Sequence, residues 1–194
     1  MMYQLLKGVA HMHRHGVMHR DLKPQNLLVE EGPHPDHPLL KVADLGLGRA
    51  FSIPIKCYTH EIVTLWYRAP EVLLGISCYA PAVDMWSVAC IFAELVRKHW
   101  PGMHPPAALA TREPTPPHHH PSAQQAIFPG DSELQQLLHI FKLLGTPSEA
   151  TWPGVGKLRD WHEFPQWKMQ DLDLVRAGIS RVLLSCHGMA MMRG

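Results

Sequence analysis

His19-Arg20-Asp21-Leu22-Lys23-Pro24-Gln25-Asn26 is a short polar stretch set between an amphipathic segment and the apolar run Leu27-Leu28-Val29. Pro24 keeps it from continuing as a helix, because proline lacks an amide donor and restricts the residue before it. The stretch holds a carboxylate (Asp21), a cation (Lys23) and a carboxamide (Asn26) within one loop. Taken alone, Asp-Leu-Lys-Pro also reads as an ordinary solvated turn, so its neighbours must decide.

Upstream, Met2, Leu5, Leu6, Val9 and Met12 fall at helical spacing, and Gly16 stands where a left-handed cap would end the helix. The helix begins at residue 1 without an N-cap, so the chain is expected to enter in the middle of an element. Downstream, Leu27-Leu28-Val29 and Leu39-Leu40-Lys41-Val42-Ala43 read as two strands joined through Glu31-Gly32-Pro33-His34-Pro35-Asp36, a hairpin. The second strand delivers Asp44-Leu45-Gly46, with Gly46 giving backbone freedom just after the carboxylate. Further on comes Thr59-His60-Glu61-Ile62-Val63-Thr64-Leu65-Trp66-Tyr67-Arg68-Ala69-Pro70-Glu71.

These pieces, in this order, resemble protein kinases: the loop H-R-D-x-x-x-x-N, a D-F-G motif with Leu for Phe, and the A-P-E that closes an activation segment. The run Tyr58 to Gly75 looks like a cyclin-dependent kinase. Asp44-Leu45-Gly46-Leu47-Gly48-Arg49-Ala50-Phe51 followed by Pro54-Ile55-Lys56 is most similar to the plant B-type class. The resemblance implies ATP and Mg²⁺ as cofactors. By the same resemblance Asp21 accepts the substrate hydroxyl proton, Lys23 offers a cation to the transferring phosphate, Thr64 sits against both, and Asn26 and Asp44 hold Mg²⁺. It also implies that Thr59 is an activating phosphorylation site paired with Arg20 and Arg49, and that Ile62 and Val63 accept the proline after the target Ser or Thr. On the residues alone, Thr59 reads more readily as an unmodified surface threonine, and a β-branched run such as Ile62-Val63-Thr64 is most often a piece of strand.

Val83, Trp86, Ala89, Cys90, Ala93 and Val96 mark a helix from Ala82 to Val96 that is apolar on most faces and therefore buried. Asp84 near its start is costly to bury alone and needs partners. The resemblance has it hold the backbone of the H-R-D loop; the helix dipole favours a carboxylate there as well. From His99 to Gln124 prolines and His118-His119-His120 replace large apolar residues, which reads as a disordered insertion whose histidines are a solvated tract rather than a metal site. Ser132 and Gln135 make a capping box, and Leu134, Leu137, Leu138, Phe141 and Leu144 an amphipathic helix closed by Gly145 and followed by Pro147. In the cyclin-dependent group this region docks a small regulatory subunit; it reads equally as a core-packing helix.

The fold class expected is mainly α (α+β overall), a kinase-like large lobe with a short β-hairpin at the catalytic loop, truncated at both ends. Residues 1–98 and 125–171 would form the lobe, 99–124 the insertion and 172–194 an unfamiliar tail. No Arg after Leu174 stands in the motif that would pair with Glu71, so Glu71 is expected to be buried without its partner.

Lysine and arginine total 18 against 17 acids, and the net charge of +1 argues for neither a nucleic-acid nor a membrane surface. No apolar run reaches the roughly 18 residues of a membrane span, and no signal core follows the N-terminus. Cys57, Cys78, Cys90 and Cys186 form no C-x-x-C pair and read as reduced thiols of an intracellular chain, by resemblance nuclear and cytoplasmic. The activity implied is proline-directed phosphoryl transfer to protein Ser or Thr, with a cyclin, Ser/Thr-Pro substrates and a small subunit at 131–155 as partners. No G-x-G-x-x-G loop or V-A-I-K lysine is present to hold phosphates. Since catalysis here is mostly positioning, these residues by themselves are expected to be an inactive interaction module or an incomplete gene product.

Overall fold

The computed structural model describes residues 1–32, 38–45, 49–50, 65–78, 80–99 and 126–170, with backbone alone for 49–50 and 96–99. Helix α1 (Met2–Arg14) buries Leu5 and Val9, four residues apart on one face. Leu6, a third of a turn round, is 42% exposed and does not belong to that stripe. Gly16 follows with φ +71, the left-handed conformation expected of it, and returns its amide to the His13 carbonyl.

The strand β1 (Val17–Met18) leads into the polar loop, which tightens into a 3-10 turn at Pro24–Asn26. Strands β2 (Leu27–Glu30) and β3 (Leu39–Val42) then pair antiparallel as the expected hairpin, with Leu27 opposite Val42. A second ladder joins β1 to β4 (Arg49–Ala50), Val17 opposite Ala50. Strands of two residues carry no readable period, and the sequence gives no sign of them.

After the 3-10 turn Leu65–Tyr67 and the short helix α2 (Pro70–Leu73, Pro at its first position) comes α3 (Ala82–His99). It is buried nearly all round: Val83, Trp86, Val88, Ala89, Cys90, Ile91 and Ala93 are each at most 6% exposed. It touches α1 and the Leu65–Tyr67 turn, which in turn meets α4 (Glu133–Leu144), while α2 packs on α4. Trp86 stacks on Phe128 at 5.9 Å, and Phe141 meets Phe164 edge-on at 5.0 Å, so aromatic side chains close the core on the α4 side. Residues 100–125 and 171–194, where the insertion and tail are expected, lie outside the described residues.

At the start of α4, Ser132 Oγ accepts the Gln135 amide at 3.2 Å, as expected, but Gln135 Oε1 accepts the Asp131 amide at 2.7 Å instead of completing the box at Ser132. Gly145 closes the helix with φ +86 and an extended ψ of 148, not a left-handed helical cap. The last carbonyls are satisfied by Gln170, whose backbone and side-chain amides reach Leu143 and Lys142. Just before α4, Gly130 donates to Gln136 Oε1 at 3.0 Å and accepts from Trp66 Nε1 at 3.1 Å. A Cβ on Gly130 would stand 2.6 Å from the Gln136 backbone. Gly130→Ala is therefore expected to cost about 1–3 kcal/mol in urea unfolding, with Gly16→Ala, which meets no neighbour, as the reference for backbone strain alone; equal losses at both positions would refute the packing argument.

Among the described residues Cys78 is exposed and Cys90 buried, both as free thiols. No helix of the described residues is long and apolar enough to cross a membrane.

Candidate active site

Asp84 is 0% exposed, and its carboxylate gathers three donors from two other elements. Oδ1 accepts the Arg20 amide at 2.7 Å; Oδ2 accepts the His19 amide at 2.9 Å and lies 2.7 Å from His13 Nε2. The buried helix thus grips the backbone of the polar loop at its first two residues. The grip has a conformational purpose, since Arg20 has φ +70, unusual for a residue with a side chain.

His19, also 0% exposed, ties the loop to the next strand. Its Nε2 lies 2.9 Å from the Ala43 carbonyl and its Nδ1 accepts the Asp21 amide at 3.3 Å, which together place the ring proton on Nε2. On the other side of the loop the ladder continues past Leu27 and Val42, the Ala43 amide donating to the Asn26 carbonyl at 2.9 Å. Asn26 and the residue preceding Asp44 are cross-strand neighbours, so the hairpin brings these two distant oxygen-bearing side chains to one end of the sheet.

Within the loop, Asp21 Oδ2 receives Lys23 Nζ at 2.6 Å and Asn26 Nδ2 at 3.2 Å, and Asn26 Nδ2 also donates to the Asp21 carbonyl at 2.8 Å. Both donors converge on Oδ2, and among the described residues none reaches Oδ1. The orientation of the Asn26 amide leaves its Oδ1 as the free acceptor. That oxygen and the exposed Asp44 carboxylate are hard ligands suited to Mg²⁺, which keeps waters and substrate phosphates instead of a full protein cage. No three His, Cys, Asp or Glu side chains gather into a cluster among the described residues. Asp44 itself has left-handed backbone, φ +63, while Gly46, read as giving backbone freedom just after it, lies outside the described residues.

Glu71, in the first turn of α2, is 7% exposed and makes no ion pair among the described residues. Burial pushes its carboxyl up to about 7, against a smaller opposing pull from its own backbone amide. The segment around it is tied down by other means: Ser87 Oγ donates to the Tyr67 carbonyl at 2.8 Å, and Tyr67 donates its hydroxyl to Glu94 at 2.7 Å. Thr59, Ile62, Val63 and Thr64 lie outside the described residues, and Arg49 is described by its backbone in β4 alone.

Two contributors escape the sequence reading. His13 continues the row Leu5, Val9 on the inner face of α1, and a polar residue at that place implies a partly buried partner, which is Asp84. Gln136 lies on the buried face of α4 at 0% exposure and joins the Trp66 region to α4 through Gly130.

Residues 1–129 match the model of the protein kinase domain. Cyclin-dependent kinase B1-1 of Arabidopsis thaliana is 59% identical over 180 residues, covering 93% of this chain and 48% of that protein. Cell division control protein 2 homolog D of Antirrhinum majus is 58% identical over 179 residues, with 92% and 48% covered. Cyclin-dependent kinase B2-1 of Arabidopsis thaliana is 58% identical over 172 residues, with 89% and 45% covered. The chain spans about half the length of the curated relatives it matches. With a polar loop strapped to a buried helix, a hairpin that brings Asn26 and Asp44 to one end of a sheet and a family model matched over 129 residues, the chain belongs to the protein kinase domain family.

Proposed function

We propose that this chain carries the catalytic part of a cyclin-dependent protein serine/threonine kinase, built as the larger, helical lobe of that domain. The reaction is transfer of the ATP γ-phosphate to a protein Ser or Thr hydroxyl followed by proline. The observation that carries this reading is the convergence of Asp21, Lys23 and Asn26 in a loop whose strained backbone is fixed by the buried Asp84. Asp21 Oδ1 accepts the proton of the attacking hydroxyl. Lys23, held 2.6 Å from Oδ2, supplies positive charge beside the transferring phosphoryl group. Asn26 and Asp44 hold Mg²⁺, which when bound neutralises phosphate charge. Thr64 orders this pair, Thr59 with Arg20 and Arg49 forms the activating phosphosite, and Ile62 and Val63 take the proline.

The partners are Ser/Thr-Pro proteins, a cyclin and a small regulatory subunit at the 131–155 region, in nucleus and cytoplasm, without nucleic acid or membrane. The names of the relatives support the cyclin and the cell-division role.

A second reading, an inactive interaction module, draws support from the apolar side chains on the hairpin and beside Asp44: Leu28, Val29, Leu39 and Leu45 are 43–55% exposed. Calorimetry of ATP–Mg²⁺ binding separates the two readings. Saturable binding by the 194-residue chain, weakened at least about tenfold in Asp44→Asn, is the result expected of the kinase reading. No binding from folded protein would leave the chain as a module.

A further inference from the structure

The outer face of α1 carries a histidine pair that phosphoryl transfer does not use. His11 and His15, four residues apart at the end of the helix, are both exposed, with ring centres 4.3 Å apart. His15 Nδ1 lies 2.8 Å from the His11 carbonyl oxygen, a bond that requires the proton on Nδ1 and leaves the lone pair on Nε2. This is the arrangement of a metal-ligating histidine: one nitrogen anchored to a backbone carbonyl, the other turned into a donor of fixed tautomer. The His11 ring makes no hydrogen bond among the described residues, so it can turn toward a shared ion.

We propose that His11 and His15 form a two-imidazole site for a divalent transition cation, Cu²⁺ or Ni²⁺, at the C-terminal end of α1. The ring centres, 4.3 Å apart, are close enough for one ion to bridge the two imidazoles after a turn of the His11 ring, and nitrogen ligands hold Ni²⁺ and Cu²⁺ at the upper end of the divalent affinity order. Water completes the coordination sphere on this open face. The C-terminal end of the α1 dipole adds a partial negative charge. The nearby cations supply no lone pair: Lys7 lies over the Tyr3 ring at 5.5 Å, and Arg14 is exposed. The bound ion would staple the last turn of α1 where the chain turns at Gly16 toward the catalytic loop.

The test is calorimetric titration with Ni²⁺ alone on the 194-residue chain with His118, His119 and His120 replaced by alanine, which removes the competing tract. One saturable site is expected, weakened at least about tenfold by His11→Ala and by His15→Ala alike, because each leaves a single imidazole without its chelating partner. The unfolding midpoint should rise with Ni²⁺ in the parent and not in the double variant. Both side chains are exposed, so circular dichroism of the variants should match the parent. No saturable site in the parent, or unchanged affinity in the double variant, overturns the proposal, whatever the outcome for phosphoryl transfer.

Discussion

Asp84→Ala is expected to destabilise the chain by about 3–4 kcal/mol, because it removes one buried acceptor shared by several donors. Three donors lose their acceptor at once: the amides of His19 and Arg20 and the ring of His13. Buried donors left unpaired each cost about 1–3 kcal/mol, and Arg20, with φ +70, loses the contact that holds its backbone in place. Against a total stability of about 5–15 kcal/mol, this loss leaves a marginal fold. Asp84→Asn keeps one oxygen but turns an amide group toward a donor, and should cost about half as much. A double-mutant cycle with His13→Ala should isolate a coupling of about 1–2 kcal/mol. Urea unfolding followed by tryptophan fluorescence gives these values, and hydrogen exchange at His19 and Arg20 gives the local effect. A loss below about 1 kcal/mol for Asp84→Ala, or unchanged exchange at those two amides, would show that the loop is held by something else.

Glu71 should make stability fall as pH rises. Its carboxyl titrates near 7 in the folded chain against an ordinary value of 4.5, because burial disfavours the charged form. The folded state therefore binds the proton more tightly. The associated stability is fully present below about 4.5, declines as pH rises, and is gone once pH passes about 7. The loss amounts to roughly 3 kcal/mol. Glu71→Gln cannot ionise, so its stability should match the native chain near pH 4.5 and exceed it by roughly 2–3 kcal/mol at pH 8. Histidines titrate in the same window, and the difference between the two pH curves removes their contribution. Parallel curves would mean that a cation reaches Glu71 in the full chain and keeps it ionised.

The sequence by itself determined the local elements and the inventory of the site. Leu5 and Val9 at helical spacing, the proline after Lys23, short apolar runs on either side of a turn and the Ser132 cap each act within a few residues, so the chain carries their signal directly. The motif order was enough to place the chain among kinases, as the family match over residues 1–129 bears out. Tertiary structure decided what joins them. The two-residue ladder of β1 with β4, the His13–Asp84 contact and the Gln136–Gly130–Trp66 bridge depend on partners far apart in sequence, 71 residues in the case of His13 and Asp84. It also decided that left-handed backbone falls on Arg20 and Asp44, residues with side chains, as well as on a glycine such as Gly16. Local propensity opposes that placement, and only contacts such as those of Asp84 with the loop, formed after the helices have packed, can hold it.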